Sequence, residues 1–348
     1  TKLNKCPSFC LKVAGDVAGG GDLSVAFMTK LSLTQSYDNI ISLENLLEAW
    51  REFVRGKRNR KDVQDFERNL MGNIIELHND LITKKYTHSP YEAFTIADPK
   101  PRSIHKAKVR DRLLHRAIYR ILYPDFDKTF IAHSYSCRVG KGTHKALNTF
   151  CSFILKESKN GTKTFWILKC DVRKFFASIN QEILIQIICD YILDSDIRWL
   201  ITKIIVSSHS GREGVGLPLG NLTSQLLVNI YLNQFDQFVK HKLKAKYYIR
   251  YADDFVILSQ DKKWLEETLI AIKDFLWSKL RLELHPDKTY IKLITLGVDF
   301  LGWVHFLDHR VLRTTTKRRM IYRVRESGGK METVQSYLGM LAHGNARK

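Results

Sequence analysis

The stretch Tyr248–Leu258, YIRYADDFVIL, sets Asp253 and Asp254 between two apolar, β-prone runs. Tyr247–Tyr251 and Phe255–Leu258 read as the arms of a hairpin with Ala252-Asp253-Asp254 at its turn. Asp is common in turns because its side chain bonds its own backbone, so an Asp-Asp pair alone proves little. A second run gives it weight: Phe165–Asp171, FWILKCD, is nearly all apolar and also ends on a carboxylate. Such a group is costly to bury unless it is paired or binds a metal. If the two strands are neighbours, Asp171, Asp253 and Asp254 converge at one end of a sheet. Oxygen-only donors favour Mg²⁺, or alternatively Mn²⁺, over zinc. Two such ions about 3.5–4 Å apart would activate an attacking hydroxyl and stabilise a leaving phosphate oxygen.

Helical periodicity surrounds these strands. It begins at Ser42, with Leu43, Leu46, Leu47 and Trp50 at spacings of three and four, and resumes over 65–81 after a basic run, Arg51–Lys61. Pro90, Pro99 and Pro101 break it and leave two short β-prone pieces, Tyr91–Ile96 and Arg102–His105. Further helices are expected over 112–122, 183–205, 223–239 (with one buried face) and 266–280, and strands over 290–294 and 298–306. The last forty residues are basic and helical in period. Strand pairs with intervening helices predict an α+β core flanked by two basic helical lobes.

At 348 residues the chain is long enough for two or three subdomains, and 44% hydrophobic residues exclude a disordered protein. Lys and Arg outnumber Asp and Glu by 56 to 36, a formal charge of +20 that calls for a polyanion, nucleic acid before an anionic membrane surface. The excess is concentrated in residues 51–61, 84–120 and 305–348, which carry net charges of +5, +7 and +7. No apolar run of about 20 residues exists to span a membrane. Of the six cysteines, Cys6 and Cys10 have no His nearby and Cys137, Cys151, Cys170 and Cys189 read as buried thiols, so neither zinc nor disulfides are expected. With no secretory signal pattern, a cytoplasmic location is expected. GDVAGGGD (residues 15–22) is not a phosphate loop, because no Gly-Lys-Ser/Thr follows.

Over about residues 84–343 the chain resembles the reverse transcriptases. Tyr251-Ala252-Asp253-Asp254 looks like the family's Tyr-Xaa-Asp-Asp box, and DVRKFFASI (Asp171–Ile179) like its first catalytic motif. GLPLGNLTSQLLVNIYL (Gly216–Leu232) looks like the loop and helix that support nucleotide and template. LHPDKT (Leu284–Thr289) and FLGW (Phe300–Trp303) look like the motif behind the palm and the primer grip. The resemblance implies a right-hand polymerase fold: N-terminal helices and fingers (39–164), a palm of antiparallel sheet backed by helices (165–304) and a small helical thumb (305–348); the Gly-rich residues 1–38 read from composition as a flexible or irregular arm outside the family core.

By the same resemblance, Asp171 and Asp253 are the essential metal ligands, with Val172 and Asp254 completing the set. Phe176, five after Asp171, is expected to exclude a ribose 2′-OH, although either Phe175 or Phe176 should be core. Lys288 is a candidate general acid for pyrophosphate, or a solvated lysine after a Pro-Asp turn. In DPKPRSIHKAKVRDR (Asp98–Arg112), Arg102 would pair bidentately with the β- and γ-phosphates. Lys100 and Arg110 are weaker nucleotide contacts, and Lys106 and Lys108 would meet template backbone. Arg138, in HSYSCRVGKGTHKAL (His133–Leu147), would also bind nucleic acid, with Gly140 and Gly142 permitting close backbone approach. Phe300, Leu301 and Gly302 would grip the primer. The basic stretch Arg310–Arg325 reads as a thumb helix whose Arg313, Lys317 and Arg318 track phosphates and whose Val311, Leu312, Met320 and Val324 pack inward.

One departure narrows the subfamily. Most reverse transcriptases have Gln-Gly-Xaa-Xaa-Xaa-Ser-Pro where this chain has Leu219-Gly220-Asn221-Leu222-Thr223-Ser224-Gln225. That pattern is similar to enzymes of diversity-generating retroelements, which copy a template RNA into cDNA with errors at template adenines. Leu219, unable to donate or accept a hydrogen bond, should loosen checking of the nascent pair, with Gly220 and Gln225 in the same pocket. The expected partners are template RNA, the cDNA or primer, and a small basic accessory protein forming an oligomeric barrel. No RNase H domain or group II intron extension is expected. The alternatives are an antiphage-defence or other bacterial reverse transcriptase, and a catalytically silent RNA-binding palm.

Overall fold

The computed structural model describes residues 35–97, 101–207 and 212–344. Residues 1–34 of the expected N-terminal arm, with Cys6 and Cys10, and the candidate Lys100 lie outside the described residues.

Four helices open the described chain: α1 (Tyr37–Ile41), α2 (Leu43–Phe53), α3 (Lys61–Glu67) and α4 (Leu70–Ile82). Ser42 starts α2 as the spacing predicts, its hydroxyl accepting the Asn45 N–H at 3.2 Å. The apolar stripe buries Leu46, Trp50 and Phe53, and Trp50 packs on Phe66 with ring centroids 5.2 Å apart. Strands β1 (Glu92–Ile96) and β2 (Arg102–Lys106) form an antiparallel hairpin that is largely solvent-exposed. Helix α5 (Val109–Thr129) outruns its expected span and continues through Pro124. Its buried face runs on from Leu113 and Ile118 to Leu122 and Phe126, so packing offsets the lost backbone bond, a penalty of about 3 kcal/mol.

The central sheet assembles from distant segments. Helix α6 (Thr143–Glu157) precedes β3 (Trp166–Asp171), followed by the short α7 (Phe175–Ser178), then α8 (Gln181–Tyr191), α9 (Ser195–Val206) and α10 (Leu222–Gln237). Strands β4 (Tyr247–Tyr251) and β5 (Asp254–Ser259), helix α11 (Lys262–Leu280) and β6 (Tyr290–Leu293) complete it. The order is β4-β5-β3-β6, antiparallel throughout. Both faces are covered, which explains the unbroken apolar runs. Ile167, Ile249, Val256 and Leu258 pack with Phe150 and Phe153 of α6. Leu168, Cys170, Tyr248, Phe255 and Ile257 pack with Phe235 of α10 and Ile272 and Leu276 of α11. Helix α10 differs from its expected single buried face. It is buried on nearly every side, because it lies between α5, α8 and the sheet.

The C-terminal part departs most from the periodicity. The expected strand over 298–306 is a tight hairpin, β7 (Val298–Phe300) and β8 (Trp303–His305), turning at Leu301 and Gly302 with φ of 51° and 85°. The expected helix from Arg310 instead begins with β9 (Arg310–Leu312), which pairs with β8. Helices α12 (Thr314–Glu326) and α13 (Met331–Leu341) follow. Neither buries a residue, so Met320 and Val324 are only half-covered, Leu312 is likewise half-buried and Val311 exposed. Of the four cysteines expected to be buried, only Cys170 is; Cys137 is exposed, on a left-handed residue (φ 56°), and Cys151 and Cys189 are intermediate.

Two buried histidines give the fold a pH signature. His115 (α5) and His305 (β8) are each 1% exposed, and burial pushes both imidazoles down to about 3. Unfolded, they would titrate near 6.5, so between pH 6.5 and 3 the unfolded chain takes up protons that the folded chain refuses. The contribution of these two rings is full above pH 6.5 and falls below it by about 1.4 kcal/mol per pH unit for each histidine. Urea unfolding at pH 7 and pH 5 measures this. Equal stability at both would show that the two rings are not both held neutral, because the opposing rise of Asp254 to about 6 offsets only about one of them.

Candidate active site

Strands β3 and β5 pair so that Asp171 stands directly opposite Asp254, and β4 brings Tyr251 to the other side of Asp254. Asp253 sits in the turn between β4 and β5. That turn depends on Ala252 in the left-handed region (φ 55°), a conformation alanine disfavours and one that marks strained functional turns. The Asp253 carbonyl accepts the Val172 N–H at 3.1 Å, tying the turn to the end of β3. Tyr251 is fixed from α6, where the Thr143 hydroxyl donates to its phenol oxygen at 3.0 Å.

Burial, and then the charge of Asp171, raises the Asp253 carboxyl above its ordinary range. Burial raises Asp254 to about 6, against the pull of Lys169. Lys169 is 5% exposed and donates to Asp254 Oδ1 at 2.6 Å. Lys288, on a short 3₁₀ turn (Pro286–Lys288), donates to Asp171 Oδ1 at 2.8 Å, and the His285 N–H meets the Asp171 carbonyl at 2.7 Å. Lys288 thus sits on the Pro-Asp turn with its side chain 40% exposed and its amine on Asp171. Among the described residues, no three His, Cys, Asp or Glu side chains form a group that could hold a metal ion; the two lysine amines each take a carboxylate oxygen instead. The donor chemistry still fits a divalent cation: crowded, half-buried carboxylates carry repulsion that such an ion relieves.

Of the two phenylalanines, Phe175 is core and Phe176 is half-buried. The Phe176 carbonyl accepts the Leu217 N–H at 2.8 Å, which joins the first acidic motif to the Leu219 loop. That loop is clipped to β2: the His105 N–H donates to the Leu219 carbonyl and the Asn221 Nδ2 to the His105 carbonyl, both at 3.0 Å. Leu219 and Gln225 are half-buried and Gly220 exposed. Arg102, exposed on β2, lies close enough to Asp253 for its charge to draw that carboxyl downward. At the remote hairpin, Phe300 is fully buried, Leu301 and Gly302 are half-buried, and the Gly302 carbonyl accepts the Arg313 N–H at 3.1 Å.

Several basic residues expected at the nucleotide or at nucleic acid are held by the protein. Arg110 pairs with Asp80, and Lys106 pairs with Asp62 at 2.7 Å. The Arg138 side chain is 5% exposed and reaches Asp127 and the carbonyls of Ile131 and Ser134, so it braces its own loop. Arg313 pairs with Asp299. Lys108, Lys317 and Arg318 are exposed. Lys169 was missed by the motif reading although its signal was plain. It is the one charged residue in a strand otherwise apolar up to Asp171, and period two puts it on the same face as that carboxylate.

The geometry thus gathers three carboxylates and two lysines at one end of the sheet of a mixed helix and sheet framework. The chain belongs to the reverse transcriptase family: the profile described as Reverse transcriptase (RNA-dependent DNA polymerase) matches residues 96–305. Members of this family are RNA-directed DNA polymerases, and the domain generally works with divalent metals. Among curated proteins, the chain is 26% identical over 282 residues to Protein YkfC of Escherichia coli (strain K12), covering 69% of this chain and 71% of that one. It is 27% identical over 279 residues to Group II intron-encoded protein LtrA of Lactococcus lactis subsp. cremoris, covering 60% of this chain but 44% of LtrA. A third relative, Putative COX1/OXI3 intron 1 protein of Saccharomyces cerevisiae, is 25% identical over 224 residues, and the match spans a quarter of its length. No helix among the described residues is long and apolar enough to cross a membrane.

Proposed function

We propose that the protein copies a template RNA into cDNA with errors concentrated at template adenines, as in a diversity-generating retroelement. The observation that carries the catalytic part is the register that sets Asp171 opposite Asp254, with Asp253 beside them and Arg102 in electrostatic reach. In this reading residues 39–164 are N-terminal helices and fingers, 165–304 the palm and 305–348 the thumb. Asp171 and Asp253 would hold Mg²⁺, with Val172 and Asp254 beside them. Bound there, the ions would lower the pKa of the primer 3′-OH and neutralise charge on the phosphates. The 3′-oxygen attacks the α-phosphorus, a new phosphodiester bond forms, and the bond to the bridging oxygen breaks so that pyrophosphate leaves. Arg102 pairs with the outer phosphates, and Phe176 closes the sugar side of the pocket. Proton donation by Lys288 to pyrophosphate would require it to release Asp171.

Support for the error-prone subtype is Leu219, half-buried beside β2 and without a polar group to test the sugar or the pair. A basic barrel-forming accessory protein and a cytoplasmic setting belong to the same reading. The relatives favour a second one, cDNA synthesis of the kind an intron-encoded protein carries out, since LtrA is named as such. Extension of a DNA primer on a mixed-base RNA with Mg²⁺, followed by cDNA sequencing, separates them. Errors at template adenine should exceed those at other bases, and Leu219→Gln should lower the adenine errors by roughly tenfold, the worth of about one hydrogen bond. Equal error rates at all four bases would leave the intron-like reading. No extension, with or without an accessory protein, would sink polymerase activity altogether.

A further inference from the structure

We propose that Arg250 is the positioning residue of the acidic turn: from the far face of the sheet, its guanidinium holds the Ala252 carbonyl and so sets where Asp253 and Asp254 stand. The inference rests on the polymerase reading above.

Alternation along β4 puts Tyr247, Ile249 and Tyr251 on the α6 face, which Asp254 shares, and Tyr248 and Arg250 on the α10 face. Arg250 lies beneath the turn, and its side chain is 1% exposed. Its Nε and Nη2 donate to the two Asp236 oxygens at 2.7 and 2.6 Å, a bidentate pair with a carboxylate that is itself fully buried. Nη2 also donates to Ser134 Oγ at 3.1 Å, and the Tyr248 hydroxyl donates to Asp236 at 2.7 Å. Nη1 then faces the turn, where it donates to the Ala252 carbonyl at 3.1 Å and to Asn229 Oδ1 at 3.4 Å. The Arg250 backbone is fixed as well, its N–H on the His133 carbonyl and its carbonyl on the Tyr135 N–H, both at 3.0 Å.

A buried ion pair contributes little to stability that well-packed apolar residues could not supply, so stability alone is a poor reason for this one. Geometry supplies a better reason. The planar fork is locked by Asp236, Ser134 and Asn229, and what remains is a donor aimed at the one turn residue with a left-handed backbone. A lysine could meet Asp236 but could not reach Ala252 at the same time.

The test compares Arg250→Lys, the charge-free double variant R250M/D236L and Tyr248→Phe, which touches the same Asp236 carboxylate but not the turn. Three quantities are read: the cooperative melt, kcat and KM for single-nucleotide addition, and hydrogen exchange of the Val172 amide, whose acceptor is the Asp253 carbonyl. Arg250→Lys is expected to fold, to lose roughly 100-fold in kcat with KM for the dNTP little changed, and to speed Val172 exchange. The double variant should do the same, and Tyr248→Phe should leave kcat and Val172 exchange as in wild type. Wild-type kcat and exchange in Arg250→Lys or in R250M/D236L would overturn the proposal, and so would an equal loss in Tyr248→Phe. If Arg250→Lys does not fold, the double variant decides; failure of both to fold would make the network purely structural and overturn it too. A wild-type protein without primer extension would sink the polymerase reading, while the exchange comparison would still judge the turn.

Discussion

Asp253→Asn should abolish primer extension, by at least about a thousandfold, and at the same time raise the melting temperature in divalent-free buffer. The loss follows if Asp253 is, as proposed, one of the two metal-holding carboxylates, since charge stabilisation of the transition state carries most of the rate in such sites. The gain follows from the sign of the carboxyl's shift. Burial and the neighbouring Asp171 raise it above its unfolded value, so the ionised form present at neutral pH opposes folding. Asparagine keeps the shape and removes that charge. Extension assays and thermal melts on the same preparation read both effects. Activity within tenfold of wild type would remove Asp253 from the chemistry. A lower melting temperature would mean that the carboxylate is held by contacts it needs, instead of being tolerated for function.

The second large effect is expected at Gly220, where Gly220→Ala should cost between about 10- and 100-fold in nucleotide addition. Gly220 has a φ of 110°, which L-residues rarely adopt, and a Cβ there would lie 2.9 Å from Cγ2 of Ile104. Ile104 belongs to β2, the strand that carries Arg102 and is clipped to the loop through Leu219 and Asn221. A methyl group at position 220 therefore pushes the guanidinium and the pocket apart, and KM for the nucleotide should rise with the fall in kcat. Ile104→Ala in the Gly220→Ala background relieves the contact but not the backbone strain, so it should restore part of the loss. Full restoration would assign the whole effect to the side-chain clash, and none would assign it to φ.

The hairpin, the central strands and their acidic ends were legible because unbroken apolar, β-prone runs ending in Asp have few other uses. Asp171 and Asp254 being opposite one another needed only the two strands to be neighbours. What the pattern hid was set by contacts distant in sequence. Helix α10 looked amphipathic but is enclosed, since α5, α8 and the sheet meet around it. Arg310–Leu312 looked helical because charge and apolar spacing resume there, yet β8 recruits it as a strand. Counting the positive charge of residues 84–120 could not reveal that Lys106 and Arg110, like Arg138 further on, already have acidic partners. Nothing in the sequence pairs Arg250 with Asp236; only the packing of β4 on α10 joins them.

The β1–β2 hairpin has a further consequence. Its residues are mostly exposed, and an isolated two-stranded ribbon is marginal in water. It is tied to the body by its two hydrogen bonds to the Leu219–Asn221 loop, the Ile104–Gly220 contact and the Lys106–Asp62 ion pair. Breaking such ties costs only a few kcal/mol, whereas β3 and β5 lie in the core and open only with the whole fold. Arg102 therefore rides on an exposed ribbon held by a few ties, and the carboxylates on strands of the buried central sheet. Under the proposed function the two parts would run on two clocks: a faster one in the ribbon, where a nucleotide would enter and leave, and a slower one in the sheet that holds the carboxylates in register.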